Sequence, residues 1–168
     1  VNERGPRLTI PALASHQDAM RFVEQNLGWL QDQLTHDPKD SPVTSHLIPG
    51  QDAHIPLRGR VLPVRWEEAR FLHVSVQGEQ LLIGYPNHSK PTALQRALHE
   101  FYLSQARADV GRWLPKYVDG LPRPPREWRI RPLTSLWGSL SSSGSMSLDL
   151  ALVLGPPAAF EYVLVHEL

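Results

Sequence analysis

The sequence predicts an α+β fold in which a mostly antiparallel sheet packs with helices. Three observations carry the prediction. Residues 15–34 and 91–114 repeat apolar side chains at three- and four-residue steps, the period of a helix buried on one face. Short runs such as Phe71–Val76 and Met146–Val153 alternate apolar and polar residues, the period of a strand. Gln77-Gly78-Glu79 and Ser141–Gly144 read as tight turns, which join antiparallel neighbours.

Composition narrows the class. The 168 residues suffice for one domain with its own core, and a single domain over 1–168 is expected: a strand, helix and β-rich part at 1–86, a helix at 89–114, and a hairpin with a helix start at 127–168. Lys and Arg balance Asp and Glu at 17 each, so no global charge draws the chain to nucleic acid or an anionic membrane. Without cysteine there is neither a disulfide framework nor a thiolate metal site, so any metal ligands are His or carboxylate. That usage fits a cytoplasmic location. The most apolar region, Leu148–Val165, is broken by Asp149, Pro156, Pro157 and Glu161, which disfavours a bilayer span, and no signal peptide opens the chain. It starts at Val1 and ends at Leu168 as though trimmed at both ends.

Arg7–Pro11 reads as a short strand stopped by proline. Ser15 with Asp18 resembles a capping box opening a helix whose packed face holds Met20, Val23, Leu27, Leu30 and Leu34, with Trp29 covering a neighbouring apolar surface. Pro38, Pro42, Pro49 and Pro56 make Thr35–Pro56 a connector, and its His36, His46 and His54 lack ligand spacing. Strands follow at Ile55–Trp66, Phe71–Val76 and Gln80–Tyr85, with Leu72, Val74 and Val76 facing inward and Arg58-Gly59-Arg60 read as solvated strand-end charge.

Pro91 opens a helix expected to stop at Pro115, burying Leu94, Ala97, Leu98, Phe101 and Val110 and turning Arg96, Glu100, Arg107 and Asp109 outward. After a proline-rich connector, Glu127–Arg131 is extended. Trp128 among Arg123, Arg126, Arg129 and Arg131 reads as a packing Trp on a strand with solvated arginines rather than a single-strand nucleic-acid surface. Met146, Leu148, Leu150 and Leu152 alternate with Ser147, Asp149, Ala151 and Val153 as a strand with one firmly buried face, which Gly155-Pro156-Pro157 ends before a final helix.

That helix ends on Phe160-Glu161-Tyr162-Val163-Leu164-Val165-His166-Glu167-Leu168. In H-E-x-x-H the two histidines share one helical face, while the Glu can act as general base toward a metal-bound water. Here His166 and Glu167 form the first half, and the second His would fall two residues beyond Leu168. The dipeptide alone says little, because His99-Glu100 is also a His-Glu pair and has Leu103 at the fourth position; His99 is expected to be exposed or cap-adjacent.

Context gives the dipeptide its meaning. Trp137-Gly138-Ser139, the strand Leu148–Leu154, Gly155-Pro156-Pro157 and Tyr162-Val163-Leu164-Val165-His166-Glu167-Leu168 occur in an order that resembles the YgjP-like metal-dependent hydrolases, relatives of SprT-like and other zincin metallopeptidases. Leu57-Arg58-Gly59, Phe101-Tyr102 and Ala106-Arg107 resemble that layout too, so the likeness spans most of the chain. It implies a zincin-like fold with the metal-site helix cut short, zinc as cofactor, His166 as a zinc ligand and Glu167 as the general base, with two further His ligands beyond this chain. Leu136 and Leu140 stand where the family commonly has Arg and Cys, and Asp149, Leu150 and Ala151 where it has a polar-aromatic strand centre, departures that bear on substrate contacts.

Three functions remain open on this reading. The first is a zinc-dependent hydrolase of metallopeptidase type, acting on a peptide or small molecule, with the strand Met146–Val153 aligning an extended peptide by edge pairing. The second is a metal-dependent phosphohydrolase acting on nucleotides. The third is a non-catalytic binding module that keeps the fold.

Overall fold

The computed structural model describes residues 47–87 and 89–168, together with Gln17, Met20 and Glu24. The chain divides into two units, Val1–Ser45 and His46–Leu168. The strand expected at Arg7–Pro11, Trp29, His36, His46 and most of the helix expected from Ser15 lie outside the described residues. Gln17, Met20 and Glu24 are helical and exposed, Met20 included. The repeat spacing says which residues share a face, not what covers it.

Residues 46–168 form an α+β unit. Strands β1 (His54–Leu57), β2 (Arg60–Glu68), β3 (His73–Gln77) and β4 (Gln80–Tyr85) make one sheet in the order β1-β2-β4-β3. The strand expected over Ile55–Trp66 is thus two strands. Arg58 and Gly59 take φ values of 52° and 74°, and Leu57 pairs with Arg60, the geometry of a two-residue type I′ hairpin turn. β1–β2 and β3–β4 are antiparallel, but β2 and β4 run parallel. Burial explains the order: Leu81 and Ile83 on one face of β4 are fully buried and Leu82 on the other is buried too, so β4 needs cover on both faces and takes an interior place. β3, carrying His73, Ser75 and Gln77, takes an edge, and its Val76 is exposed rather than inward. Gly78, at φ 62°, makes the β3–β4 turn.

A second sheet holds β5 (Glu127–Arg131), β6 (Gly138–Leu140) and β7 (Ser145–Asp149) in the order β5-β7-β6, with β5 parallel and β6 antiparallel to β7. Gly144, at φ 86°, closes the Ser141–Gly144 turn. Trp128 packs against the core, while Arg129 pairs with Glu127 at 3.0 Å. A hydrogen bond with Ser145, and then the Arg129 guanidinium, hold the Glu127 carboxyl below the usual carboxylate range.

Helix α1 spans Pro91–Val118 and therefore runs through Pro115, where the sequence predicts a stop. An interior proline removes one backbone hydrogen bond and costs about 3 kcal/mol in an isolated helix. Tertiary contacts offset it. Leu114 and Tyr117 pack on the core, and the Tyr117 hydroxyl donates to Glu161 at 2.9 Å. One core cluster, with Ile83, Phe101, Val110, Trp113, Met146, Leu148 and Phe160 among its members, joins both sheets to α1 and the final helix. Among the described residues no helix is long and apolar enough to cross a membrane.

Candidate active site at the His-Glu helix

Helix α2 spans Pro157–Glu167, with Pro156 at the N-cap and Pro157 in the first turn, where a missing N–H leaves no helical bond unmade. Phe160 and Leu164, four apart, are buried on the core side. The Phe160 ring meets Trp113 of α1 edge to face, 5.4 Å between centroids. One residue on, Glu161 accepts from Tyr117 and lies 3.9 Å from Lys116 Nζ. The bond to Glu161, with partial burial, raises the Tyr117 pKa, so this phenol is a donor at neutral pH.

The start of α2 rests on the β1–β2 turn. Arg58 and Gly59 donate their backbone N–H groups to Val153 and Leu154 carbonyls at 2.8 and 2.9 Å. A Cβ on Gly59 would lie 3.1 Å from the Pro156 backbone, so only glycine permits this approach at left-handed φ. Arg58 then grips Asp109 of α1, Nε to Oδ2 at 2.8 Å and a second guanidinium nitrogen to Oδ1 at 3.0 Å, and Arg112 adds a 3.3 Å contact. Asp109 is 1% exposed. Two sequence expectations are corrected here: Arg58 is not a solvated strand-end charge, and Asp109 does not face outward. Asp109 sits three residues after buried Ala106 and four before buried Trp113, within the packed stripe, and the Arg58 fork is what makes its burial tolerable.

The strand expected through Val153 ends at Asp149, and Leu150–Leu154 is a 3-10 turn. Asp149 causes the change. Its Oδ1 accepts from the Ala151 N–H at 2.7 Å and its Oδ2 from the Leu133 N–H at 3.1 Å, capping the new turn instead of continuing the ladder. Both faces of β7 are buried, including Ser147 and Asp149, so the single buried face inferred from alternation is also corrected. β7 lies between β5 and β6 and has no free edge. It cannot align a peptide by edge pairing.

β6 can. The Trp137 carbonyl accepts from Asp149, Ser139 is registered with Ser147, and the Ser141 N–H donates to Ser145. Those odd-numbered residues face β7, so the strand's alternation turns the N–H and C=O of Gly138 and Leu140 to the outer edge. Among the described residues no strand pairs with that edge.

Glu167 lies against this strand. Gly138 is buried, and a Cβ there would come within 2.8 Å of Glu167 Cγ, 3.0 Å of its Oε1 and 3.1 Å of its Cδ. The missing side chain is the space the Glu167 side chain occupies. His166, one residue earlier, is exposed, and its ring stacks with that of Tyr162, 6.0 Å between centroids and 17° from parallel. Leu136 and Trp137, each 60% exposed, precede Gly138, while Leu140 is half-buried against the core. His99, by contrast, is exposed on α1.

The structure thus brings the Trp-Gly-Ser segment and the His-Glu end of α2 together. The arrangement sets the Glu167 carboxylate beside the outer strand of the second sheet, next to the exposed His166 imidazole. His166 fits as one nitrogen donor to a metal. Among the described residues no three His, Asp or Glu side chains gather as a metal cluster, so they do not by themselves make a complete site. Gly138, Asp149 and Asp109 were not assigned site roles from sequence, although Gly138 lies inside the quoted Trp-Gly-Ser motif.

The family model described as YgjP-like, metallopeptidase domain matches residues 1–168. No curated protein matches, and no solved structure matches.

Proposed function

The chain belongs to the YgjP-like metallopeptidase family, whose members are metal-dependent hydrolases, and from that premise we propose that it is a zinc peptidase in which Glu167 is the general base and His166 a zinc ligand. The packing of Glu167 against Gly138 of the outer strand β6 carries the reading. That packing supports a role for the carboxylate as acceptor of a proton from an attacking water. Zinc, when bound, supplies a water of lowered pKa and polarises the oxygen of the bond under attack.

This chain's own groups divide the remaining work. The N–H and C=O groups of half-buried Leu140, on the outer side of β6, bind an extended peptide by strand addition. β6 takes over the aligning role that sequence alternation assigns to Met146–Val153. Glu167 takes the proton and returns it to the leaving amine. Tyr162 stacks on His166 and limits the orientations of its ring.

The test compares full-length wild type with Glu167→Gln on peptide and nucleotide panels, alongside metal analysis. About one zinc per chain in both proteins, with peptide turnover lost only in the variant, is the expected result. Undiminished turnover in the variant removes Glu167 as base; cleavage of nucleotides in place of peptides moves the substrate to phosphate esters.

A further inference from the structure

We infer that Arg58 and Asp109 form a positioning pair that sets the pose of the helix carrying His166 and Glu167. The inference rests on the reading of those two residues as zinc ligand and base. The pair touches neither, and acts through the backbone. Arg58 sits in the turn whose two N–H groups hold the Val153 and Leu154 carbonyls, three and two residues before Pro156, the N-cap of α2. Asp109 sits on α1, the helix whose next two turns carry Trp113, Lys116 and Tyr117 against Phe160 and Glu161.

The start and the middle of α2 are therefore both referred to one stretch of α1, residues 109–117. Its far end is referred to β6 through Glu167 and Gly138. Releasing the first reference leaves α2 held at its middle and end, free to tilt about the Phe160–Trp113 contact. At 1.5 Å per residue, roughly 9 Å of helix separates Phe160 from His166, enough to turn a small tilt into displacement at the imidazole.

Stability alone is a poor account of the pair. Burying a carboxylate and a guanidinium costs desolvation that their attraction only partly returns, and apolar replacement of such pairs is often neutral or stabilising. Arg58 also adopts φ 52°, an unfavourable conformation for a residue with a side chain. An apolar contact would fill the same space. What it would lack is direction: the planar fork meets both carboxylate oxygens, at 2.8 and 3.0 Å, and admits one relative orientation of turn and helix.

The experiment uses the full-length protein with two variants, Arg58→Lys, which keeps the charge but loses the fork, and the double replacement Arg58→Met with Asp109→Leu, which removes the pair without stranding a charge. In each, kcat on the peptide substrate is expected to fall about 10- to 100-fold with KM little changed, while the double variant keeps the wild-type Tm. Amide exchange in metal-free protein gives a readout independent of activity: faster exchange at Val153–Glu167, with β4 unchanged, is expected in Arg58→Lys. Wild-type kcat in either folded variant, or wild-type exchange over Val153–Glu167 in Arg58→Lys, overturns the inference. A wild type without hydrolase activity defeats the proposed function, and the exchange measurement then decides on the pair by itself.

Discussion

Replacing Gly138 with alanine perturbs one contact of the candidate site and little else. Gly138 is not at left-handed φ, so an alanine backbone fits. Its Cβ would lie 2.8 Å from Glu167 Cγ, where ordinary contact begins at 3.4 Å, so the side chain must retreat by the difference, 0.6 Å, or change rotamer. The retreat carries Cδ and Oε1, themselves 3.1 and 3.0 Å from that Cβ, away from the β6 edge. Overpacking costs about 1–3 kcal/mol in a closed core, and the lower end applies because Glu167 is only half-buried and can move. Tm should drop by only about 2–4 °C for a chain of this size. The catalytic loss should be larger. A positioned base contributes about 100- to 10,000-fold, and misplacing it by an ångström forfeits a substantial part of that. Steady-state assays on the peptide substrate, with zinc content and thermal melts measured in parallel, should show kcat about 10- to 100-fold lower at unchanged zinc occupancy. Wild-type turnover in a folded Gly138→Ala protein would refute the argument that the glycine exists to admit Glu167.

Gly111 provides a contrast, since a Cβ there meets nothing within 4 Å in the middle of α1; Gly111→Ala should add about 0.5–1 kcal/mol in a denaturant titration and leave turnover alone. Asp149→Ala strands the Ala151 and Leu133 N–H groups and should lower unfolding free energy by about 2–6 kcal/mol, at about 1–3 kcal/mol per orphaned donor, measured in the same way. Burial pushes the Tyr102 pKa up to about 12, and its hydroxyl donates to the Pro56 carbonyl at 3.0 Å. Because the folded state holds this proton more tightly than the unfolded chain, its contribution is intact below about pH 10 and lost as pH rises toward 12. Tyr102→Phe should therefore be less stable at neutral pH and show a shallower fall in stability over that alkaline window, followed by circular dichroism melts.

Local periodicity and turn chemistry made much of the architecture legible. β4 over Gln80–Tyr85 follows the Gln77-Gly78-Glu79 turn and β5 over Glu127–Arg131 follows the proline-rich connector, both where the sequence places them, and α2 begins at the Pro156-Pro157 break. These features depend on neighbours within a few residues, which a sequence displays directly. The order Trp-Gly-Ser, strand, Pro-Pro and His-Glu was also enough to identify the family.

Tertiary structure decided which neighbours each element meets. Helical spacing sets Asp109 in the packed stripe of α1, but what lets a carboxylate stay buried there is a guanidinium 51 residues away, held by a two-residue turn. Helix α1 outlasts Pro115 because partners on α2 supply what the proline removes. β7 loses its free edge because β5 and β6 flank it, which makes β6 an outer strand of the sheet. The His-Glu pair at the end of α2 was visible in the chain as a motif. That Glu167 fills the space left by Gly138 was not, because strand order and helix packing are set by long-range burial, and the same local pattern is compatible with several such arrangements.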